Sequence, residues 1–241
     1  MPVSRNRIEK NLARIRENIR AACDRSHRSA EDVSIVAVTK TVELDTIRNL
    51  LDAGLTEFGE SRAQQLTDRA AELDAYLQRR RNELPAPVRW HMIGHLQRNK
   101  VKSVLKASTI VHSVDSLRLA EELQDRASRT GLTVEVFVQV NCSQESQKYG
   151  VPVGAAPHLG EMICTFPSLR LVGLMTMAPL TKDRDAIRQS FARLREIYND
   201  MQRDGIAAKT FRHLSMGMSK DYEIAVEEGA TLLRIGSALF E

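Results

Sequence analysis

The sequence predicts a closed barrel of eight parallel strands alternating with helices, a (β/α)8 or TIM barrel of the α/β class. Three observations carry this expectation. Eight short apolar runs recur over about 200 residues. Helical patterns fill the intervals, and such alternation implies parallel strands joined by right-handed crossovers. Polar side chains also collect where the runs end, which is where barrels of this kind build their sites. An open, doubly wound sheet is the competing architecture, and periodicity alone does not separate the two.

Taken in order, Ile8, Leu12, Ile15 and Ile19 recur at helical spacing, so residues 4–24 read as an amphipathic helix ahead of the barrel. The strand-like runs are 33–40, 56–60, 88–94, 109–114, 134–141, 169–177, 213–216 and 232–236; the second and seventh are short and only partly apolar. After the first run, Leu44, Ile47, Leu50 and Leu51 mark a helix. Residues 117–127 mark another, closed by Gly131. Ile187, Phe191, Leu194, Ile197 and Met201 share one face of a third, with Gly205 as its C-cap. Ser219 is the expected cap of the next helix and Gly229 its stop. No internal repeat or low-complexity segment interrupts the pattern, and residues 1–241 are read as one domain.

Composition narrows the function classes. With 42% hydrophobic and 27% charged residues, the chain can bury a substantial core. The net charge of +4 is spread along the sequence and is weak support for a nucleic-acid partner. The one concentrated basic stretch, "LQRRRNELPAPVRW" at 77–90, reads as a solvated helix end and loop, with a nucleic-acid patch as the alternative. It precedes a strand, so in a barrel it would lie on the face away from the usual site. Cys23, Cys142 and Cys164 are odd in number and lack metal or redox spacing, which fits a reduced, cytoplasmic protein. No apolar run has signal-peptide or membrane-spanning character, so neither membrane nor nucleic acid is an expected partner.

The expected strand ends present Lys40, Glu60-Ser61, His91 to His95, Ser113 with Asp115, Asn141, Met175 to Met177, Ser215-Met216-Gly217 and Arg234 to Ser237. By strand alternation Lys40 shares a face with Val36 and Val38. If that face is the interior, its ammonium is partly desolvated, which favours the neutral amine needed to form a Schiff base. The alternative is a surface lysine that snorkels to water. Gly217 and Gly236-Ser237 lie at strand-to-helix turns, where a glycine lets backbone amides approach an anion. The loops after strands seven and eight often hold phosphate in such barrels. A lysine opposite such turns suits a phosphorylated aldehyde, and pyridoxal 5′-phosphate has both parts. Arg234 is either a strand-end ion-pair partner or a donor to the pyridine nitrogen, which it would keep unprotonated. His91 and His95 are four apart, but on a strand leading into a turn they do not form the helical metal pair, and no metal is expected. His91 is read as a cofactor contact, with packing against Trp90 or a loop hydrogen bond as alternatives, and Met175 and Met177 as barrel filling.

The segments "VAVTK", "FGES", "WHMIGHLQRNK", "VHSVDS", "QVNCS", "GLMTM", "LSMGMS" and "RIGSALF" occur in one order along nearly the whole chain. In these the chain resembles the pyridoxal phosphate homeostasis proteins, small relatives of the barrel half of alanine racemase. The resemblance implies a fold-type III pyridoxal-phosphate barrel with an extra N-terminal helix. It puts Lys40 at the position of the lysine that holds the cofactor covalently as an aldimine, Arg234 opposite the pyridine nitrogen, and Ser215, Gly236 and Ser237 in the phosphate cup. Three positions depart from the family pattern: Ser61 stands for the usual asparagine, Met92 for a phenylalanine and Thr39 for a serine. The resemblance further implies buffering and delivery of the cofactor, with apo pyridoxal-phosphate enzymes as recipients and little or no turnover. A racemase or decarboxylase is the alternative. The sequence stops at Glu241, five residues after Gly236, without the further domain that completes racemase sites. The usual racemase dimer is therefore not implied, and a monomer is expected. Tyr149 in "QKYG" is the nearby acid/base candidate, with packing of the loop as the alternative, and Lys148 is the rival amine.

Overall fold

The computed structural model describes residues 2–78, 87–145, 147–207 and 209–241. Arg79, Arg80 and Arg81 of the basic stretch lie outside them. Eight strands, β1 Ser34–Val38, β2 Glu57–Glu60, β3 Arg89–Met92, β4 Ile110–Val114, β5 Val134–Gln139, β6 Leu169–Met175, β7 His213–Ser215 and β8 Leu232–Ile235, pair in sequence order. The ring closes where β8 pairs parallel to β1, with Val36 opposite Arg234 and Ala37 opposite Ile235. That closure rules out the open sheet. The helices are α1 Arg5–Arg25, α2 Leu44–Asp52, α3 Ala63–Leu77, α4 Val101–Val104, α5 Leu117–Thr130, α6 Ala156–Cys164, α7 Arg184–Arg203, α8 Tyr222–Glu227 and α9 Ser237–Phe240. The apolar stripe of α1, Ile8, Leu12, Ile15 and Ile19, is fully buried where the helix packs on α2, α8 and α9.

Two apolar cores result. The larger joins the outer faces of the strands to the helices, and Phe58, Phe191, Phe211 and Leu66 are wholly buried in it. The smaller fills the barrel with Val36, Ile110, Phe137, Val172, Met175 and Leu232, and Met177 packs against it. Val172 and Met175 are three residues apart, yet both face inward, which a regular strand forbids. The register of β5 against β6 slips between Val136 and Phe137, so β6 carries an extra residue there, next to Gly173. A side chain at Gly173 would put its Cβ 1.9 Å from the carbonyl oxygen of His213, so only glycine fits the turn of phase.

Several strands stop short of the expected limits, and β1 shows why. The chain turns at Thr39, whose carbonyl accepts from Val42 N–H and from the Arg69 guanidinium. Thr39 Oγ1 donates to Glu60 at 2.5 Å, and Arg69 on α3 pairs with the same carboxylate. These contacts tie the ends of β1 and β2 to the helix layer. Ser219 does not cap α8, whose N-cap position is Asp221. Its hydroxyl instead accepts from the amides of Gly236 and Ala238 at the start of α9.

Candidate functional site

Lys40 stands just past the carboxyl end of β1, in a turn, and is exposed. Of the two readings of its side chain the exposed one holds: β1 ends at Val38, and Lys40 stands past it in the turn, in contact with solvent and not desolvated. Its carbonyl accepts from Gln65 Nε2 at 2.9 Å, which fixes the turn while the side chain meets solvent.

Across the β1–β8 seam lies Arg234, opposite Val36 and only 4% exposed. Its Nη1 donates to Ser215 Oγ at 2.7 Å and its Nη2 to the Thr176 carbonyl at 2.8 Å. Among the described residues no carboxylate pairs with it; Asp221 acts only through its field. Burial pushes this guanidinium down to about 10. A guanidinium has five N–H groups, and the two named bonds account for two of them.

The two glycine turns expected to face an anion lie nearby, after β7 and β8. Gly217 has φ +92°, and a Cβ there would lie 2.5 Å from that of Ala225, so the loop after β7 requires glycine. The Ser219 hydroxyl draws the amides of Gly236 and Ala238 together at 3.2 Å each. Gly236 sits beside Val38, its virtual Cβ 3.6 Å from that side chain, and Ser237 is exposed. Lys40, Arg234 and the start of α9 thus belong to two neighbouring strand ends.

The other expected residues divide. Ser215 is fully buried on β7, its hydroxyl between Arg234 and His112. His91 is buried inside the barrel, with Nδ1 2.9 Å from His112 Nε2 and Nε2 against Glu57, so both ring nitrogens are engaged. Burial raises the Glu57 carboxyl, but its hydrogen bond to His91 and the charge of Arg89 outweigh it and hold it below its usual value. His95 does not join His91. It sits on the rim, bonded to Asp115 at 3.1 Å and stacked on Tyr149 with ring centroids 3.9 Å apart. Lys148 is tied to Glu145 at 2.6 Å and to the Ala178 carbonyl at 2.8 Å. Ser61 follows β2, its backbone packed against Gly94, and Met92 is buried in the helix layer.

A family model described as alanine racemase, N-terminal domain, matches residues 10–241. The pyridoxal phosphate homeostasis protein of Aquifex aeolicus is 36% identical over 229 residues, 95% of each chain. The chain belongs to the pyridoxal phosphate homeostasis protein family. A crystal structure of an unknown protein from Bifidobacterium adolescentis overlays with TM-score 0.92 at 34% identity, covering 98% of this chain and 95% of that one. PipY of Synechococcus elongatus, solved with PLP bound, overlays with TM-score 0.80 at 29% identity, covering 97% of this chain and 100% of its own.

Set beside this family, the residues present suit its cofactor in kind: an amine at the rim, a buried cation with spare donors, and an exposed serine, Ser237, at a strand-to-helix turn. Sequence reasoning missed His112, Thr176 and the role of Ser219. His112 carried one signal, a titratable residue between Ile110 and Val114 in an otherwise apolar run. Thr176 acts through its backbone, which no side-chain pattern reveals.

Proposed function

We propose that this protein binds pyridoxal 5′-phosphate through a Schiff base to Lys40 and serves to buffer and deliver it, with little or no turnover of its own. The observation that carries the reading is Arg234: a buried guanidinium without a carboxylate partner among the described residues, one strand from the Lys40 rim. A buried charge left in that state is costly unless a ligand completes its bonding. Lys40 would hold the aldehyde, Arg234 the ring nitrogen, Gly236 and Ser237 the phosphate, and Ser61 the polar edge, with Ser215 and His91 standing behind Arg234. When bound, the cofactor supplies a carbonyl that an amine can capture and a ring that can delocalise electrons. Because Arg234 only donates, it keeps the ring nitrogen unprotonated, and the ring is then a weak electron sink. The exposure of Lys40 lets water and other amines reach the covalent bond, which favours release over chemistry. Apo pyridoxal-phosphate enzymes are the recipients in this reading, and the protein acts as a monomer in the cytoplasm. Among the described residues no helix is long and apolar enough to cross a membrane.

Borohydride treatment of the loaded protein tests the first half. The label is expected on a peptide containing Lys40 and is absent from Lys40→Ala; a label mainly on Lys148 defeats the assignment. Pyridoxal without phosphate should bind more than about tenfold more weakly, since each hydrogen bond to the anion is worth about 1.5–3 kcal/mol. Mixing the loaded protein with an apo enzyme, and separately with a panel of amino acids, tests the second half. Restored enzyme activity without racemisation or decarboxylation supports delivery. Turnover at about 1–1000 per second that vanishes in Lys40→Ala defeats it.

A further inference from the structure

The barrel interior holds a file of polar side chains that begins at Arg234 and runs on past the residues the binding reading uses, to His112 and Glu57. It runs Arg234, Ser215, His112, His91, Glu57. The contacts are 2.7 Å from Arg234 Nη1 to Ser215 Oγ, 2.8 Å from Ser215 Oγ to His112 Nδ1 and 2.9 Å from His112 Nε2 to His91 Nδ1, with His91 Nε2 bonded to Glu57. Five residues from five different strands are linked end to end across the barrel. We infer that His112 is a positioning residue for Arg234: through Ser215 it fixes the guanidinium, and His91 and Glu57 fix the tautomer of His112.

The direction of the file follows from its ends. Arg234 can only donate, so Ser215 Oγ accepts from it. The Glu57 carboxylate only accepts, so His91 Nε2 carries a proton. His112 is completely buried, and that burial above all, with the nearby charge of Arg234, holds it well below its ordinary value, so it is neutral. With its single proton on Nε2, it donates to His91 Nδ1, and its bare Nδ1 accepts the Ser215 hydroxyl proton. Every contact then has one donor and one acceptor, and both rings are neutral. With the proton on Nδ1, the Ser215 hydroxyl would lose its acceptor in the file, and His91 would need a second proton to make its bond to His112. The first arrangement is the satisfied one. The His112 ring is also stacked on Phe137, with centroids 4.2 Å apart and planes at 25°, which restrains it in this orientation.

The arrangement has a consequence for Arg234. The only carboxylate of the file, Glu57, lies at its far end, beside a cavity of about 380 Å³ also lined by Arg16, Arg20 and Glu31. The guanidinium is oriented by hydrogen-bond dipoles and not quenched by a direct ion pair. Its remaining N–H groups stay available to an acceptor above it. This consequence rests on the cofactor reading; the orientation itself does not.

Nitrogen-15 NMR of the cofactor-free protein decides the orientation. The wild type is expected to show His112 protonated at Nε2 and bare at Nδ1, with slowly exchanging Arg234 guanidinium protons. His112→Phe keeps the ring stack and removes both nitrogens, and should release those protons to fast exchange. His112→Asn puts a carbonyl oxygen near the Nδ1 position and should restore protection. In the loaded protein, His112→Phe should weaken cofactor binding about tenfold, His112→Asn should recover part of it, and His112→Phe should add nothing in an Arg234→Gln background. A proton on His112 Nδ1 in the wild type, a measurement that needs no variant, overturns the inference. So do Arg234 protons indifferent to His112→Phe, or losses that add in full with Arg234→Gln. A wild type that takes up no cofactor refutes the binding reading alone, and the Arg234 signals then still decide the file.

Discussion

Replacing Arg234 by methionine should make the cofactor-free protein more stable while destroying its grip on the cofactor. Burial lowers the guanidinium by between two and three units, to about 10. At about 1.4 kcal/mol for each pKa unit, the charged side chain costs the fold about 3 kcal/mol. The sign follows from the direction: a cation whose folded pKa is depressed is charged in both states at neutral pH and is less favourable in the folded one. Methionine fills a similar volume without charge. It forfeits the bonds to Ser215 Oγ and the Thr176 carbonyl, each worth about 1 kcal/mol net. Ser215 keeps His112 as its other partner. The balance is a gain of about 1 kcal/mol, or about 2–4 °C in melting temperature for a chain of this size. Thermal unfolding by circular dichroism on cofactor-free samples measures it, and an absorbance titration with pyridoxal phosphate should show binding weakened more than tenfold, the worth of about 1.5–3 kcal/mol in bonds to a charged donor. A fall of several degrees would mean that the charge is matched inside the fold after all. Unchanged affinity would remove Arg234 from the site.

Two further perturbations probe the frame. Gly173→Ala should cost about 3 kcal/mol or more, because its Cβ would meet the His213 carbonyl backbone, while Gly154→Ala, with open space around it, should be nearly neutral; equal unfolding midpoints in urea would refute the account of the β6 slip. Stability should also fall with acid below pH 6.5. The unfolded chain then protonates imidazoles that the fold keeps neutral, His112 and in lesser degree His213, both lowered chiefly by burial. A buried neutral histidine contributes stability that is present above its unfolded value and lost as pH falls below it, at up to about 1.4 kcal/mol per pH unit for each group. Urea unfolding at about pH 7.5 and about pH 5.5 should show that slope in the wild type and a shallower one in His112→Phe; identical slopes would mean His112 does not titrate between the two states.

The sequence determined what depends on neighbours along the chain. The α1 stripe repeats at helical spacing and is buried as such, and the strand runs of 56–60 and 109–114 emerge as β2 and β4 within a residue. The order of polar residues at the strand ends put Lys40 and Arg234 in view, because a residue's distance from the end of its own strand is a local property. What depends on partners far along the chain was decided by the tertiary structure. Barrel closure rests on hydrogen bonds between β1 and β8, nearly the full chain apart. The slip at Gly173 reverses the facing of the residues beyond it, so alternation could not tell which of Val172 to Met175 point inward. Thr39 is held by Glu60 and Arg69, which ends β1 early and leaves Lys40 exposed, a choice that alternation left open. His112 meets Ser215 across 103 positions, and Ser219 reaches the start of α9 across 17. A hydrogen bond is decided by where two groups stand in space within a few tenths of an ångström, and for groups so distant in sequence only the closed barrel sets that distance.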